Sequence, residues 1–295
     1  MKVSELYIAG FTRSGSTLTD IVIGNHKGYF SAGEVIYFIQ NGLFENEFCS
    51  CSSRVQSCPV WSRVLAEWDK VRVLSLSEYD KLYFENFTNR GIGKLFLKLM
   101  FPGKKFKALL GDTRELYKAI AIVSGATTII DSSKSPFRIL LFRSLGFNLR
   151  VVHVIRELRG VLFSSFKYLP KDSPAGVEVD IKPKGFWFVV VKWAWVNLLS
   201  LIFSLGIKRD VLRFENLLEQ PEMAMEKLGF RDELFLRACE NGGPFFCGHI
   251  VAGGRIRMKG KVFINSGLGA QERWSGTGIK ELVVRCLDFF TSGSK

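Results

Sequence analysis

The sequence predicts an α/β fold built on a doubly wound parallel sheet flanked by helices on both faces. Three observations predict it. Short apolar runs of strand character alternate with stretches of helical periodicity along much of the chain. Each run ends at a polar residue, as strands do when their carboxyl ends carry a ligand. The first run also passes through a glycine-spaced turn, Gly10-Phe11-Thr12-Arg13-Ser14-Gly15-Ser16-Thr17, straight into a helix. Together these describe a P-loop-type doubly wound parallel sheet.

The first strand covers about residues 5–9, where Leu6-Tyr7-Ile8-Ala9 is apolar, and the helix behind the turn runs from Ser16 through about Gly24. A polar, cysteine-bearing stretch follows to about Trp61. Residues 61–122 read as helical, with breaks at Gly91, Gly93 and Pro102-Gly103. Thr127-Thr128-Ile129-Ile130 is a short buried strand, followed by a helix over 136–145 and a strand over 149–155. A helix over 159–167, a strand over 210–214 and a helix over 221–228 complete the alternation. Pro221 stands in the first turn of the last helix, where its missing N–H leaves no bond unmade. Neither an internal repeat nor a low-complexity tract interrupts the pattern, so one domain spanning 1–295, with its core over about 5–275, is expected.

At 47% hydrophobic and 23% charged residues the chain is not a disordered one, and 26 Phe predict a ring-rich interior. A net charge of +13 suits an anionic cofactor, an acidic acceptor, nucleic acid or an anionic membrane surface. Met1 to Glu5 lead directly into the first strand without a basic region and long apolar stretch, so no secretory leader is expected. Six cysteines in 295 residues are too sparse for a disulfide scaffold and point to a reducing, cytoplasmic setting. One segment resists that setting. Residues 186–205 reach the length of a membrane span with a single charge, Lys192. Lys192 and Asn197 near its middle, with Trp187, Trp193 and Trp195, also suit a helix buried in the core or lying at an interface.

The turn at Gly10 has the spacing G-x-x-x-x-G-x-T. In such a loop, inward backbone N–H groups and the positive end of the helix replace a phosphate's hydration with fixed donors. A kinase or nucleoside triphosphatase needs Lys at the position of Ser16, to reach the β- and γ-phosphates. Here the basic residue is Arg13, inside the loop, which suits one 5′-phosphate carrying a transferable group. The simpler alternative is a Gly/Ser turn with Ser16 as a helix cap. A second anion site is suggested at the end of the 149–155 strand, in Arg156-Glu157-Leu158-Arg159-Gly160-Val161-Leu162-Phe163-Ser164. An Arg at the strand end and a Ser two helical turns on can converge on one phosphate.

Arg13-Ser14-Gly15-Ser16-Thr17-Leu18, followed by His26 and Gly33-Glu34, resembles the 5′-phosphosulfate loop of the sulfotransferases, in particular the bacterial, carbohydrate and tyrosylprotein branches. Lys27 departs from the Pro common after that His. The R-x-x-R-x-V-x-x-S run resembles the family's 3′-phosphate site, with Glu157-Leu158 where an acidic-Pro pair is usual. His249-Ile250-Val251-Ala252-Gly253-Gly254-Arg255-Ile256-Arg257 and Trp274 resemble its C-terminal segment, and Arg213-Phe214-Glu215-Asn216-Leu217 a structural one.

The resemblance implies transfer of a sulfuryl group from 3′-phosphoadenosine 5′-phosphosulfate (PAPS) to a hydroxyl acceptor, with no metal required. Implied donor contacts are Arg13, Ser14, Gly15, Ser16, Thr17, Arg156, Ser164 and Arg257. The implied catalytic groups are Glu34 as base, and Lys134 and Arg13 at the leaving oxygen, with Ser132 nearby. His153 is expected as a satisfied core residue and His26 as structural. Residues from about 40 to 122 would form the variable helical acceptor region, for a small-molecule, glycan or lipid hydroxyl. No nucleic-acid partner is expected; for 186–205 a core role is the simpler account, with peripheral membrane contact left open beside it.

Cys49-Ser50-Cys51 and Cys58 have C-x-C-x6-C spacing. Zinc needs a fourth ligand, and no His is near in sequence. Bacterial sulfotransferase-like sequences carry a similar stretch, as a disulfide or as free thiols. Two other functions fit parts of the pattern. A P-loop kinase would bind ATP with magnesium, and a basic, non-enzymatic surface protein would bind membrane or nucleic acid without nucleotide selectivity.

Overall fold

The computed structural model describes residues 4–87, 92–264 and 274–292. The expected break at Gly91 lies outside them. In chain order the elements are β1 (Ser4–Ala9), α1 (Ser16–Gly24), β2 (Tyr29–Gly33), α2 (Trp61–Asp69), α3 (Leu76–Asn86), α4 (Ile92–Met100), α5 (Lys104–Ser124), β3 (Thr128–Lys134), α6 (Pro136–Leu145), β4 (Asn148–Ile155), α7 (Leu158–Ser165), α8 (Phe186–Phe203), β5 (Lys208–Arg213), α9 (Phe214–Glu219), α10 (Pro221–Lys227), α11 (Glu233–Glu240), the short pair β6 (Phe245–Phe246) and β7 (Lys261–Val262), and α12 (Gly278–Ser292).

The strands β2-β3-β1-β4-β5 form, in that order, one parallel sheet. The chain moves outward from β1 to one edge and then to the other, so the switch point falls at the carboxyl end of β1, where such sheets bind ligands. Alternation along the strands buries both faces. Leu6, Ile8, Val152 and Val154 pack against α1 and α9–α11, while Tyr7, Ala9, Ile129 and Val151 face a ring-rich layer with Trp61, Trp68 and Tyr117. This is the doubly wound parallel sheet that the sequence predicts.

β3 continues past its apolar run through Asp131-Ser132-Ser133 because each polar side chain finds an internal partner. Asp131 pairs with the buried Arg138 at 2.7 Å, and Ser132 Oγ donates to Asp20 at 2.6 Å. β2 is an edge strand inside the stretch that reads as polar in the sequence. α8 packs on α6, α7 and β4, where His153 Nε2 donates to Asn197 Oδ1 at 2.9 Å. Its opposite face, including Trp187, Val191, Trp195 and Leu198, is exposed.

Candidate active site

The loop after β1 needs glycine at two places. Gly10 has φ 144°, and a Cβ there would lie 2.3 Å from Val154 O; Gly15, at φ 86°, would drive a Cβ to 1.9 Å from the Phe214 ring. Between them Arg13 takes φ 68°, which turns the backbone so that α1 starts behind the loop. Ser14, Ser16 and Thr17 are buried against the helix start. Ser14 Oγ is enclosed without a hydrogen-bond partner among the described residues, a donor left inside the cradle.

Three strand ends meet there. Ala9 of β1 is in register with Lys134 of β3, and Gly33 of β2 with Asp131, so Glu34 and Lys134 emerge side by side. Their side chains, 12% and 11% exposed, form an ion pair between Lys134 Nζ and Glu34 Oε1. The segment 249–254 closes the site from the far side of β2. Glu34 N donates to Val251 O at 2.9 Å and Gly254 N to Thr17 Oγ1 at 3.0 Å, which ties this segment to both Glu34 and the loop.

The second anion motif reaches the first. Arg156 Nη1 donates to Arg13 O at 3.1 Å, and the guanidinium lies 4.9 Å from the centre of the Phe214 ring. Gly160 makes room for it, since a Cβ there would meet Arg156 Nε at 2.6 Å. Ser164 stands on α7, half-buried. The α7 N-terminus itself is occupied by carboxylates: Glu157 N donates to Glu215 Oε1 at 3.0 Å and Leu158 N to Asp288 Oδ1 at 2.6 Å. Any anion at this end must therefore be met by the Arg156 side chain. Arg159 turns to α12 and pairs with Glu281 at 2.6 Å.

Arg257 is 1% exposed, and donates to Ala252 O at 3.0 Å and Phe48 O at 3.1 Å. Its neighbour Arg255 is exposed, and with burial it depresses the Arg13 pKa. Lys184 likewise titrates lower, through desolvation and the charge of Arg13. Arg255 and Lys184 are cations at the loop that sequence reasoning missed. The R-x-R pair at 255–257 was the available signal for the first; nothing marked the second.

Comparison with family models and with curated protein sequences gave no match. Among solved structures, a sulfotransferase domain from the olefin synthase of Synechococcus PCC 7002 superposes with a TM-score of 0.53 at 15% identity, covering 100% of this chain and 97% of that one. The sulfotransferase domain from the curacin biosynthetic pathway gives 0.51 at 13% identity, with 97% of each chain covered. The fold is that of the sulfotransferase domains.

Within this fold the histidines divide. Burial pushes His153 down to about 4, so it stays neutral against Asn197, and His26 sits edge-on among Tyr29 and Phe235. Cys49, Cys51 and Cys58 are free thiols gathered at one point, and His249 joins them from 191 residues away in the chain.

Proposed function

We propose that the chain transfers a sulfuryl group from PAPS to a hydroxyl acceptor by in-line displacement. The observation that carries this reading is the Lys134–Glu34 pair at the strand ends, beside a phosphate loop whose basic residue is Arg13. Arg13 and the N–H groups from Ser14 to Thr17 hold the 5′-phosphate, and Arg156 with Ser164 holds the 3′-phosphate. Arg255 and Lys184 add positive potential. Arg257, expected as a further 3′-phosphate contact, is buried and spends two of its nitrogens on Ala252 O and Phe48 O, so in this reading it keeps the 249–257 segment in place.

In the transfer, the acceptor oxygen bonds to sulfur as the bond from sulfur to the 5′-phosphate oxygen breaks, and that bond's electron pair stays on the phosphate. The donor's charge draws Lys134 toward the bridging oxygen, where it and Arg13 stabilise the departing phosphate. Glu34, released from the pair, accepts the acceptor proton. This chemistry needs no metal at the reacting atoms. The acceptor, a small-molecule, glycan or lipid hydroxyl, enters past the helices α2–α5, where a narrow pocket beside Val35 and Ile36 reaches Tyr79 and Tyr83. The reading treats 1–295 as one catalytic domain, working in the cytoplasm as its free thiols suit, with the exposed face of α8 lying on an anionic membrane surface.

Calorimetry with adenosine 3′,5′-bisphosphate, and separately with ATP and magnesium, tests the donor. Metal-independent binding of the bisphosphate is expected; binding of ATP with magnesium alone would replace this reading with that of a kinase-like enzyme. With labelled PAPS, Glu34→Gln should lower transfer by about 10²- to 10⁴-fold while bisphosphate affinity changes little. Weakened binding with unchanged turnover would remove Glu34 as the base.

A further inference from the structure

We propose that Cys49, Cys51, Cys58 and His249 hold one zinc ion in a closed tetrahedral site that locks the wall of the active site in place. The three sulfurs and a ring nitrogen of His249 all lie within 4.8 Å of one another. Cys58 Sγ is 3.7 Å from both Cys49 Sγ and Cys51 Sγ, and 3.3 Å from His249 Nδ1. A zinc tetrahedron with Zn–S near 2.3 Å and Zn–N near 2.0 Å has S···S edges of about 3.8 Å and S···N edges of about 3.5 Å. A disulfide would bring two sulfurs to about 2.05 Å. The spacing is that of four ligands around a common centre.

The backbone is shaped for those ligands. Ser52, at φ 67°, closes a tight turn in which Ser52 N donates to Cys49 O and Cys49 N to Ser53 O, each at 2.9 Å, and this returns Cys51 beside Cys49. Cys58 immediately precedes Pro59 and stands three residues before α2, whose helix start fixes its direction. His249 is held from its own backbone. Trp61 Nε1 donates to His249 O at 2.6 Å, Ser50 Oγ to Gly248 O at 2.8 Å, and Ile250 N to Ser50 Oγ at 2.7 Å. Cys49 and Cys58 are buried while Cys51 and His249 are half-buried, so an ion has one open side by which to enter.

Three thiolates and an imidazole are a soft set that suits zinc, and four protein ligands leave no position for water or substrate. The site is therefore structural. Its effect reaches the reaction centre through two residues of chain: His249 leads to Val251, whose carbonyl accepts from Glu34 N, and on to Gly254, which donates to Thr17. The ion fastens the 49–61 stretch to the segment that frames Glu34, across 191 residues of sequence.

Elemental analysis of the full chain, purified under reducing conditions without added metal, is expected to find about one zinc per chain. Cobalt(II) exchanged into the same protein should show thiolate-to-cobalt charge transfer and intense tetrahedral d–d bands. Cys51→Ser, at a half-buried position, should lose those bands and most of the zinc. Removing the metal with a strong chelator should lower the melting temperature by roughly 5 to 10 °C, and zinc but not magnesium should restore it. A folded wild-type chain that contains no zinc and melts identically with and without chelator overturns the proposal. So does a disulfide among Cys49, Cys51 and Cys58 in the protein purified under reducing conditions.

Discussion

Asp20 shows how strongly position governs chemistry around the loop. It sits on α1 under β3, fully buried, with Ser132 Oγ donating to Oδ2 at 2.6 Å and Oδ1 without a partner among the described residues. Burial raises its pKa to about 7, against the pull of Ser132 and Ser31 in the opposite direction. A raised carboxyl pKa means that the folded chain holds a proton the unfolded chain releases. The stability from the neutral form is complete below the unfolded value near 4 and is lost progressively as pH rises through about 7. Asp20→Asn keeps an acceptor for Ser132 and removes the titration. Chemical denaturation should therefore find that the variant gains about 2 to 3 kcal/mol on wild type between pH 5 and pH 8. Parallel pH profiles for the two proteins would show that Asp20 is already ionised at pH 5. The candidate catalytic residues were legible through their motifs, whereas Asp20 carried no motif, because only folding places it beneath Ser132.

Among the elements, those whose bounds the sequence predicted are the ones that carry their own signals. The helix at Pro136–Leu145 begins with a Pro suited to its first turn and ends at Gly146, and β4 is a plain apolar run. β2 carried no such signal, since Tyr29–Gly33 is short and lies at the sheet edge, with no sustained alternation. The zinc-type cluster was half legible: C-x-C-x6-C was visible, but His249 comes from the far end of the chain. The contact between the two anion motifs was not legible at all. Gly15 touches the Phe214 ring, and the same ring lies under Arg156, so a third element joins the loop to the strand end. Gly15→Ala should consequently disturb both ends of a bisphosphate. Its Cβ would displace Phe214 in a backbone conformation costing about 1 to 2 kcal/mol for a side chain. Calorimetry should show at least about tenfold weaker bisphosphate binding with a modest fall in melting temperature. An affinity equal to wild type would mean that Phe214 moves aside without carrying Arg156.

At the scale of the whole molecule, α8 carries the longest exposed apolar stripe among the described helices. Its mean hydropathy is 1.8 over Phe186–Phe203, and it is apolar on both sides, which is why its sequence suited a core helix and a span alike. In the fold, one side packs inward, with Val189 and Trp193 in a cluster with Leu158 and Val161 of α7 and Asn197 against His153 of β4. The other presents Trp187, Val191, Trp195, Leu198 and Ile202, spaced to form a single stripe. Phe96 on α4 touches Phe203 at 6.3 Å between ring centres, and Phe96, Leu97, Met100 and Phe101 extend the apolar surface beyond the end of α8. The exposed Lys104 and Lys107 follow on α5, where Lys105 pairs with Glu78 at 2.8 Å, in a chain of net charge +13. An apolar stripe bordered by lysines suits an anionic lipid surface, into which Trp and Leu side chains insert while ammonium groups meet the headgroups. Vesicles containing phosphatidylserine should carry the protein upward in a flotation gradient, and neutral vesicles should carry much less. Trp195→Glu with Leu198→Glu should abolish flotation while leaving bisphosphate binding unchanged, because neither side chain belongs to the loop or to the strand ends. If the double variant floats as well as wild type, lipid contact lies elsewhere on the basic surface; if wild type does not float, the stripe has no membrane role.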